Sequence, residues 1–164
     1  MFEISRLTVE HLRSGCVTDK ALPSFGFAVR SDRAGAKLVA AQLKVGDWET
    51  ALGDEAQKGT VYAGAALKPF TTYSVKLTAT DDAGETAYAE TTFETGRMGT
   101  AWKAQWITDG SYKFTEKKVS PVPMVFRKSI QTKKPVAWAR LYATAMGIYE
   151  VELDGKKLGS QYFA

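Results

Sequence analysis

The chain has 164 residues, of which 45% are hydrophobic, 12% aromatic and 24% charged, and its formal net charge is +4. This length allows one large domain or two small ones, and the composition is typical of a globular protein. No apolar run approaches the roughly 20 residues of a membrane-spanning helix, so we expect no membrane partner.

The N-terminal segment MFEISRLTVEHL carries acidic residues and lacks the long apolar core of a signal peptide. The single cysteine, Cys16, cannot form an internal disulfide. Together these features predict a cytoplasmic protein. A catalytic thiolate would need a histidine, and His11 is the only one, so a structural thiol in a loop or at a strand edge is the favoured interpretation of Cys16.

Charge is distributed unevenly along the chain. Residues 1–97 hold 11 basic and 13 acidic residues, a net charge of −2, which leaves 11 basic and 5 acidic residues, a net charge of +6, for residues 98–164. The shift predicts two domains, 1–97 and 98–164. A basic half raises nucleic acid as a partner, but the basic residues occur as scattered pairs, so we favour a solvated surface and no nucleic acid.

Apolar residues alternate with polar ones through most of the first 97 residues, and helical spacing is almost absent. In KLVAAQLKVGDWET the apolar positions are Leu38, Ala40 and Leu43-Val45, which are expected to face the core. Short strands between Gly/Asp turns predict an all-β sandwich. The four alternating segments are SFGFAVRSD, KLVAAQLKVGDWET, TTYSVKLTATDDAGE and TAYAETTFETG.

The stretch LKPFTTYSVKL is more specific than alternation alone. Leu67, Pro69, Thr71 and Tyr73 occupy alternate positions before a strand, the pattern of a tyrosine corner, in which the ring enters the core and the hydroxyl bonds upstream backbone. Followed by a strand and Asp-Ala-Gly, this sequence resembles the fibronectin type III signature over about residues 4–96. The resemblance implies a sandwich fold and almost nothing about function.

The connector ETGRMGTAWKAQWI follows, with Trp102 and Trp106 four residues apart, a spacing that would place both on one face of a short helical turn. Sugars stack on flat aromatic rings, so these two residues and Trp138 are candidate substrate-binding residues. The alternative interpretation of Trp102 and Trp106 is that they fill the seam between two sandwiches.

Three further strand signals follow the connector. MVFRKSIQ and AWARLYATA predict one strand each, and IYEVELDGKKLG predicts a hairpin that turns at Asp154-Gly155, a preferred type I′ pair. Glu150 and Glu152 are expected on its outer face, opposite Lys156-Lys157. No phosphate-binding loop, metal-ligand cluster or Ser-His-Asp arrangement appears, so no metal, no cofactor and no catalytic residue is assigned.

After the connector, the motifs W-x-x-x-W-I, P-x-x-F-R-K, A-R-L-Y and L-D-G occur in this order, and together they resemble the N-terminal region of bacterial α-L-rhamnosidases of glycoside hydrolase family 78. The resemblance implies a fibronectin-like module followed by the start of a jelly-roll-like, galactose-binding-like β-sandwich, with catalysis in a later (α/α)6 barrel. The matching residues are Trp102, Trp106, Ile107, Pro123, Phe126, Arg127, Lys128, Ala139, Arg140, Leu141, Tyr142, Gly147, Tyr149, Leu153, Asp154, Gly155 and Gly159.

What the resemblance implies is a non-catalytic fragment of an inverting glycosidase that releases terminal α-L-rhamnose. Such a fragment would be inactive alone, would scaffold the barrel of the same polypeptide and could assist binding of a rhamnosyl glycan. An incomplete second sheet would favour self-association. The alternative is a free-standing carbohydrate-binding or adhesion module of two β-domains.

Overall fold

The computed structural model describes residues 1–53, 59–108, 110 and 123–159. The sequence also predicts a polar loop between strands at Asp54 and Glu55, and these two positions lie outside the described residues. The chain divides into two compact units, Met1–Trp106 and Ile107–Ala164. The predicted boundary after residue 97 stays a prediction.

The described residues form ten β-strands and no helix, so the predicted all-β fold is confirmed. Eight strands belong to the first unit and two short ones to the second. Their bounds are β1 Phe2–Val9, β2 Cys16–Thr18, β3 Ser24–Ser31, β4 Leu38–Val45, β5 Trp48–Leu52, β6 Thr60–Val61, β7 Thr72–Asp81, β8 Thr86–Thr95, β9 Glu152–Leu153 and β10 Lys156–Lys157.

The first unit is a sandwich of two sheets. One sheet has the order β1-β3-β6 and the other β2-β8-β7-β4-β5. All neighbours are antiparallel except β2, which runs parallel to β8. The chain changes sheets between β1 and β2 through a tight turn, where Glu10 and His11 both have positive φ, 48° and 67°.

The core lies between the two sheets because alternate side chains of each strand point inward. On β7, Val75, Leu77 and Ala79 are buried, as the alternation predicted. Phe93 of β8 is 1% exposed; its ring meets the Phe25 ring edge-on at 6.0 Å between centroids. The core therefore joins β3 of the smaller sheet to the centre of the larger one.

The prediction for β4 was wrong in one detail. Ala40 is exposed and Ala41 is buried, although Leu38 is buried as expected. The pairing of β4 with β7 shifts between Leu38 and Ala40, and such a bulge adds one residue. Because side chains alternate with period two, one extra residue moves the next inward position from 40 to 41.

The second unit contains a small hairpin within its described residues. Asp154 and Gly155 have φ of 52° and 75°, as the predicted type I′ turn requires. The Leu158 N–H also donates to the Val151 carbonyl at 2.8 Å, which continues the β9–β10 pairing by one step. The predicted ion pair across the hairpin is present, with Lys157 Nζ 3.1 Å from Glu150 Oε1.

The two other strands predicted for the second half are not formed. MVFRKSIQ and AWARLYATA carry no strand, and Val125, Ile130 and Trp138 in them are 94%, 79% and 76% exposed. A strand needs a neighbouring strand and a covered face, and within the described residues no strand pairs with these segments. Alternation alone reports the face that a strand would bury, not whether a partner is present.

Candidate functional site

The three tryptophans predicted as a sugar platform have different surroundings. Trp106 and Trp138 are exposed to 65% and 76%, and Trp138 belongs to the second unit. Trp102 is 44% exposed, and Arg97 Cζ lies over its ring, 4.0 Å from the centroid. A guanidinium at this distance makes a cation–π contact and covers one face of the ring.

The helical turn expected around Trp102 and Trp106 is absent, since residues 101–108 are irregular. A single isolated turn is unstable without a packed face, and both rings are substantially exposed. The fourth tryptophan, Trp48, has a different role: its ring lies 4.9 Å from that of Tyr62 and 6.4 Å from that of Phe25, at the margin of the core.

One exposed aromatic residue on the sandwich was not singled out from the sequence. Tyr88 of β8 is 76% exposed and pairs with Thr78 of β7. Across the sheet the same row continues through Gln42 and Ala51, so it carries an aromatic ring, a hydroxyl, an amide and a methyl group but no charge. The residue pattern gave Tyr88 as a strand residue, and only the sheet register shows its neighbours.

The next row of the same outer face is charged instead. Glu90 pairs with Lys76, Lys76 with Lys44, and Lys44 with Glu49. Lys76 Nζ lies 3.7 Å from Glu90 Oε1. A sharp division between a neutral row and a charged row therefore runs across four strands of the larger sheet.

The best-fixed carboxylates of the fold are Asp81 and Asp82, at the turn between β7 and β8. Arg33 Nη2 donates to Asp81 Oδ2 at 3.0 Å and also to Asp82 Oδ1. Asp81 Oδ1 accepts from the N–H groups of Ala83 and Glu85 at 2.9 and 2.8 Å. One guanidinium group therefore occupies the space beside both carboxylates.

These contacts decide the charge of the pair. Burial would raise the pKa of Asp81, but the bonds from Arg33, Glu85 and Ala83 outweigh it and hold the pKa below its ordinary value of 3.8. The Arg33 bond, with the Lys37 N–H, also lowers the pKa of Asp82. Both groups are therefore ionised near neutral pH and serve the turn.

A third carboxylate, that of Glu10, is held by hydrogen bonds at the turn between β1 and β2. Glu10 Oε1 accepts from the N–H and hydroxyl of Ser24 at 2.6 and 3.0 Å, and Oε2 lies 2.5 Å from Lys20 Nζ. Burial acts to raise the pKa of Glu10, but the bonds from Lys20 and Ser24 lower it overall. Like the carboxylates of Asp81 and Asp82, the Glu10 carboxylate is therefore bonded to groups within the fold.

The cysteine is structural, as favoured from the sequence. Cys16 is buried on β2, and burial, together with the charge of Glu10, raises the pKa of its thiol. A raised pKa keeps the thiol protonated and unreactive. Within the described ranges, no group of three or more His, Cys, Asp or Glu side chains could hold a metal ion, and no helix is long and apolar enough to cross a membrane.

The fold and these contacts define an immunoglobulin-like β-sandwich in which Glu10, Asp81 and Asp82 are held by hydrogen bonds and ion pairs within the fold. Residues 4–99, more than half of the chain, match the model of the family described as "Rha78A-like, N-terminal immunoglobulin domain", and the chain belongs to this family. Sequence comparison also gives 40% identity over 63 residues, 35% of this chain, to an α-L-rhamnosidase of Alteromonas sp. (strain LOR).

Two solved structures are similar as well. An α-L-rhamnosidase of Streptomyces avermitilis, complexed with L-rhamnose, is 25% identical with a TM-score of 0.59 over 66% of this chain and 12% of its own. The α-L-rhamnosidase of Dictyoglumus thermophilum is 27% identical with a TM-score of 0.58 over 67% and 14%. The predicted resemblance to the N-terminal region of α-L-rhamnosidases is confirmed, and the match covers 6% of the Alteromonas protein.

Proposed function

We propose that this chain is the non-catalytic N-terminal region of an α-L-rhamnosidase and that it scaffolds a catalytic domain elsewhere in the same polypeptide. Family membership of residues 4–99 and the small share of each rhamnosidase that the chain matches support this. The observation that carries the non-catalytic part is the state of the fixed carboxylates.

Inverting glycosidases need a general acid with a raised pKa and a general base, about 6.5–9.5 Å apart with the sugar between them. Glu10, Asp81 and Asp82 do not meet the requirement for the acid, because their hydrogen bonds and ion pairs lower the pKa of each carboxyl group. Asp81 and Asp82 also share the guanidinium of Arg33, so each carboxylate already has a charged partner within the fold. A depressed pKa favours the carboxylate, so none of the three can protonate a leaving group near neutral pH.

An aryl α-L-rhamnoside assay tests the non-catalytic assignment. The 164-residue chain should release no more phenol than buffer alone. The matched control is Asp81→Asn, which should behave identically. Turnover by the chain that disappears in Asp81→Asn would contradict the proposal.

Carbohydrate binding is the second candidate function, either as an assisting role or as that of a free-standing module. It is supported by the exposure of Trp106 and Trp138 and by Tyr88 on an uncharged row with Thr78 and Gln42. An exposed ring beside neutral hydrogen-bonding groups suits a neutral sugar, which offers apolar ring faces and hydroxyls but no charge.

Titration with L-rhamnose to millimolar concentration, followed by tryptophan fluorescence and amide chemical shifts, tests this candidate. Binding at Trp106 should be lost in Trp106→Ala, binding at Trp138 in Trp138→Ala, and binding on the sheet in Tyr88→Ala. The charged-row variant Glu90→Gln is the control and should bind normally. No spectral change at any concentration would exclude binding of this sugar and leave scaffolding alone.

We also propose a cytoplasmic location, supported by the lone, buried thiol of Cys16. Cell fractionation with an antibody against the sandwich tests it. Recovery of the protein outside the cytoplasmic fraction would contradict this location.

A further inference from the structure

The residues that follow β8 are bonded to the sandwich on two sides. The Gly96 N–H donates to the Thr18 carbonyl, at the end of β2, and the Gly96 carbonyl accepts from the Phe70 N–H, both at 2.9 Å. Two residues on, the Met98 N–H donates to Asp19 Oδ1 at 2.7 Å. A connector that looked unpatterned in sequence therefore has its backbone groups satisfied by the fold.

A buried hydroxyl extends this network into the tyrosine corner. Thr95 is 0% exposed, and its Oγ1 accepts from the Thr71 N–H at 2.9 Å and donates to the Lys68 carbonyl at 2.6 Å. The Lys68 N–H in turn donates to Tyr73 Oη. The corner before β7, the end of β8 and the first connector residues are thus one hydrogen-bonded unit.

There is also no space for a side chain at Gly96. A Cβ on Gly96 would lie 2.6 Å from Asp19 Oδ1, a contact that would displace the carboxylate from Met98. Met98 and Gly99 have φ of 47° and 79° and form a turn closed by the Thr100 N–H on the Arg97 carbonyl at 2.8 Å. The Met98 side chain packs against the core of the sandwich.

The Arg97 side chain completes the arrangement on the far side of the turn. Its guanidinium donates to the Thr100 carbonyl and lies over the Trp102 ring. Because these contacts are local and exposed, we expect them to reinforce a turn that Asp19 already fixes, not to form it.

We infer that Asp19 and Gly96 form an exit clamp, a device that makes residues 96–102 a rigid extension of the sandwich instead of a flexible linker. Asp19 is a positioning residue here: it accepts a backbone hydrogen bond and contributes nothing to the strands themselves. The inference concerns the first unit alone and holds whether or not the chain is part of a rhamnosidase. Its use, to give the following part of the chain a fixed starting point, rests on the proposed function.

Amide hydrogen exchange of the full chain tests the clamp. The Met98 amide should be protected in the parent chain and should lose protection by about tenfold or more in Asp19→Ala. Asp19→Asn keeps an acceptor oxygen and should retain most of the protection. Asp32→Ala, at an exposed carboxylate, is the matched control, and Val75 and Leu77 amides should not change in any variant.

Spin labels at Thr92→Cys on β8 and Lys103→Cys in the connector give a second readout, because the native Cys16 is buried. The distance distribution should be narrow in the parent background and broad with Asp19→Ala or Gly96→Ala. The inference is overturned by an unprotected Met98 amide or a broad distribution in the parent. It is also overturned if Asp19→Ala leaves both readouts unchanged, or if Val75 and Leu77 lose protection equally, which would indicate general destabilisation.

Discussion

At Tyr73 one side chain serves both the core and the backbone before its strand. The ring stacks on Phe93 at 5.4 Å between centroids with an interplanar angle of 18°, and the hydroxyl accepts from the Lys68 N–H at 2.8 Å. The tyrosine corner predicted from Leu67, Pro69 and Thr71 is therefore confirmed. Its hydrogen bond also reaches the network that holds the connector.

Removing only the hydroxyl separates these two contributions. Tyr73→Phe should lower the free energy of unfolding by about 1 kcal/mol, because the ring stays packed and one backbone hydrogen bond is lost. Urea unfolding measures the change. Tyr88→Phe, at the exposed tyrosine of the larger sheet, should change it by less than about 0.5 kcal/mol. Equal losses in the two variants would contradict a specific role for the corner.

Asp81 gives the protein an acid-sensitive turn. Its folded pKa lies below the ordinary value of 3.8, so its contribution to stability is present above that pH and is lost as the pH falls through the folded value. Asp81→Asn should therefore be less stable than the parent chain at pH 7, and the difference in stability between the two should decrease below about pH 4. Thermal unfolding from pH 7 to pH 2.5 measures this.

The control for that pH series is Asp32→Asn, whose side chain is 87% exposed. It should parallel the parent chain at every pH. A stability gap for Asp81→Asn that stays constant down to pH 2.5 would contradict the assigned charge state.

At the scale of elements, strands of the first unit could be predicted from the sequence. Each buries one face against the other sheet, so the alternation of apolar residues shows which side chains enter the core. The bulge after Leu38 could not be predicted, because one extra residue in a strand does not change the residue types that form it. The exit clamp was hidden for another reason: Asp19 and Met98 are 79 residues apart, and their contact exists only because β2 lies beside β8.

The second unit shows the opposite outcome for the same kind of pattern. Its strand-like segments alternate, yet within residues 107–108, 110 and 123–159 no side chain is buried. Apolar side chains exposed on this scale indicate an interaction surface or a tendency to associate.

The candidate tryptophans could be identified from the sequence because they are aromatic. The contact of Arg97 with the Trp102 ring could not be predicted from the sequence.

This exposure predicts self-association. The 164-residue chain should form dimers or larger species by light scattering, whereas residues 1–106, which contain every buried core residue of the described chain, should be monomeric and folded. The comparison needs equal molar concentrations. A monomeric full chain with no apolar dye binding would contradict the prediction, because it would require those side chains to be covered.

For the whole molecule, the sandwich and the family assignment support the proposal that this chain is one part of a longer polypeptide. The fold holds Glu10, Asp81 and Asp82 by hydrogen bonds, the thiol of Cys16 in the core and the connector in the exit clamp, which fits the proposed scaffolding role. The neutral row at Tyr88 is a described surface of the sandwich whose composition also suits a sugar.

Capture of the native protein from its own cells, with an antibody against residues 1–106, tests the central claim most directly. The captured polypeptide should be much larger than the 18.0 kDa of this chain and should hydrolyse an aryl α-L-rhamnoside. Capture of only an 18.0 kDa polypeptide without rhamnosidase activity would contradict the account and favour a free-standing module.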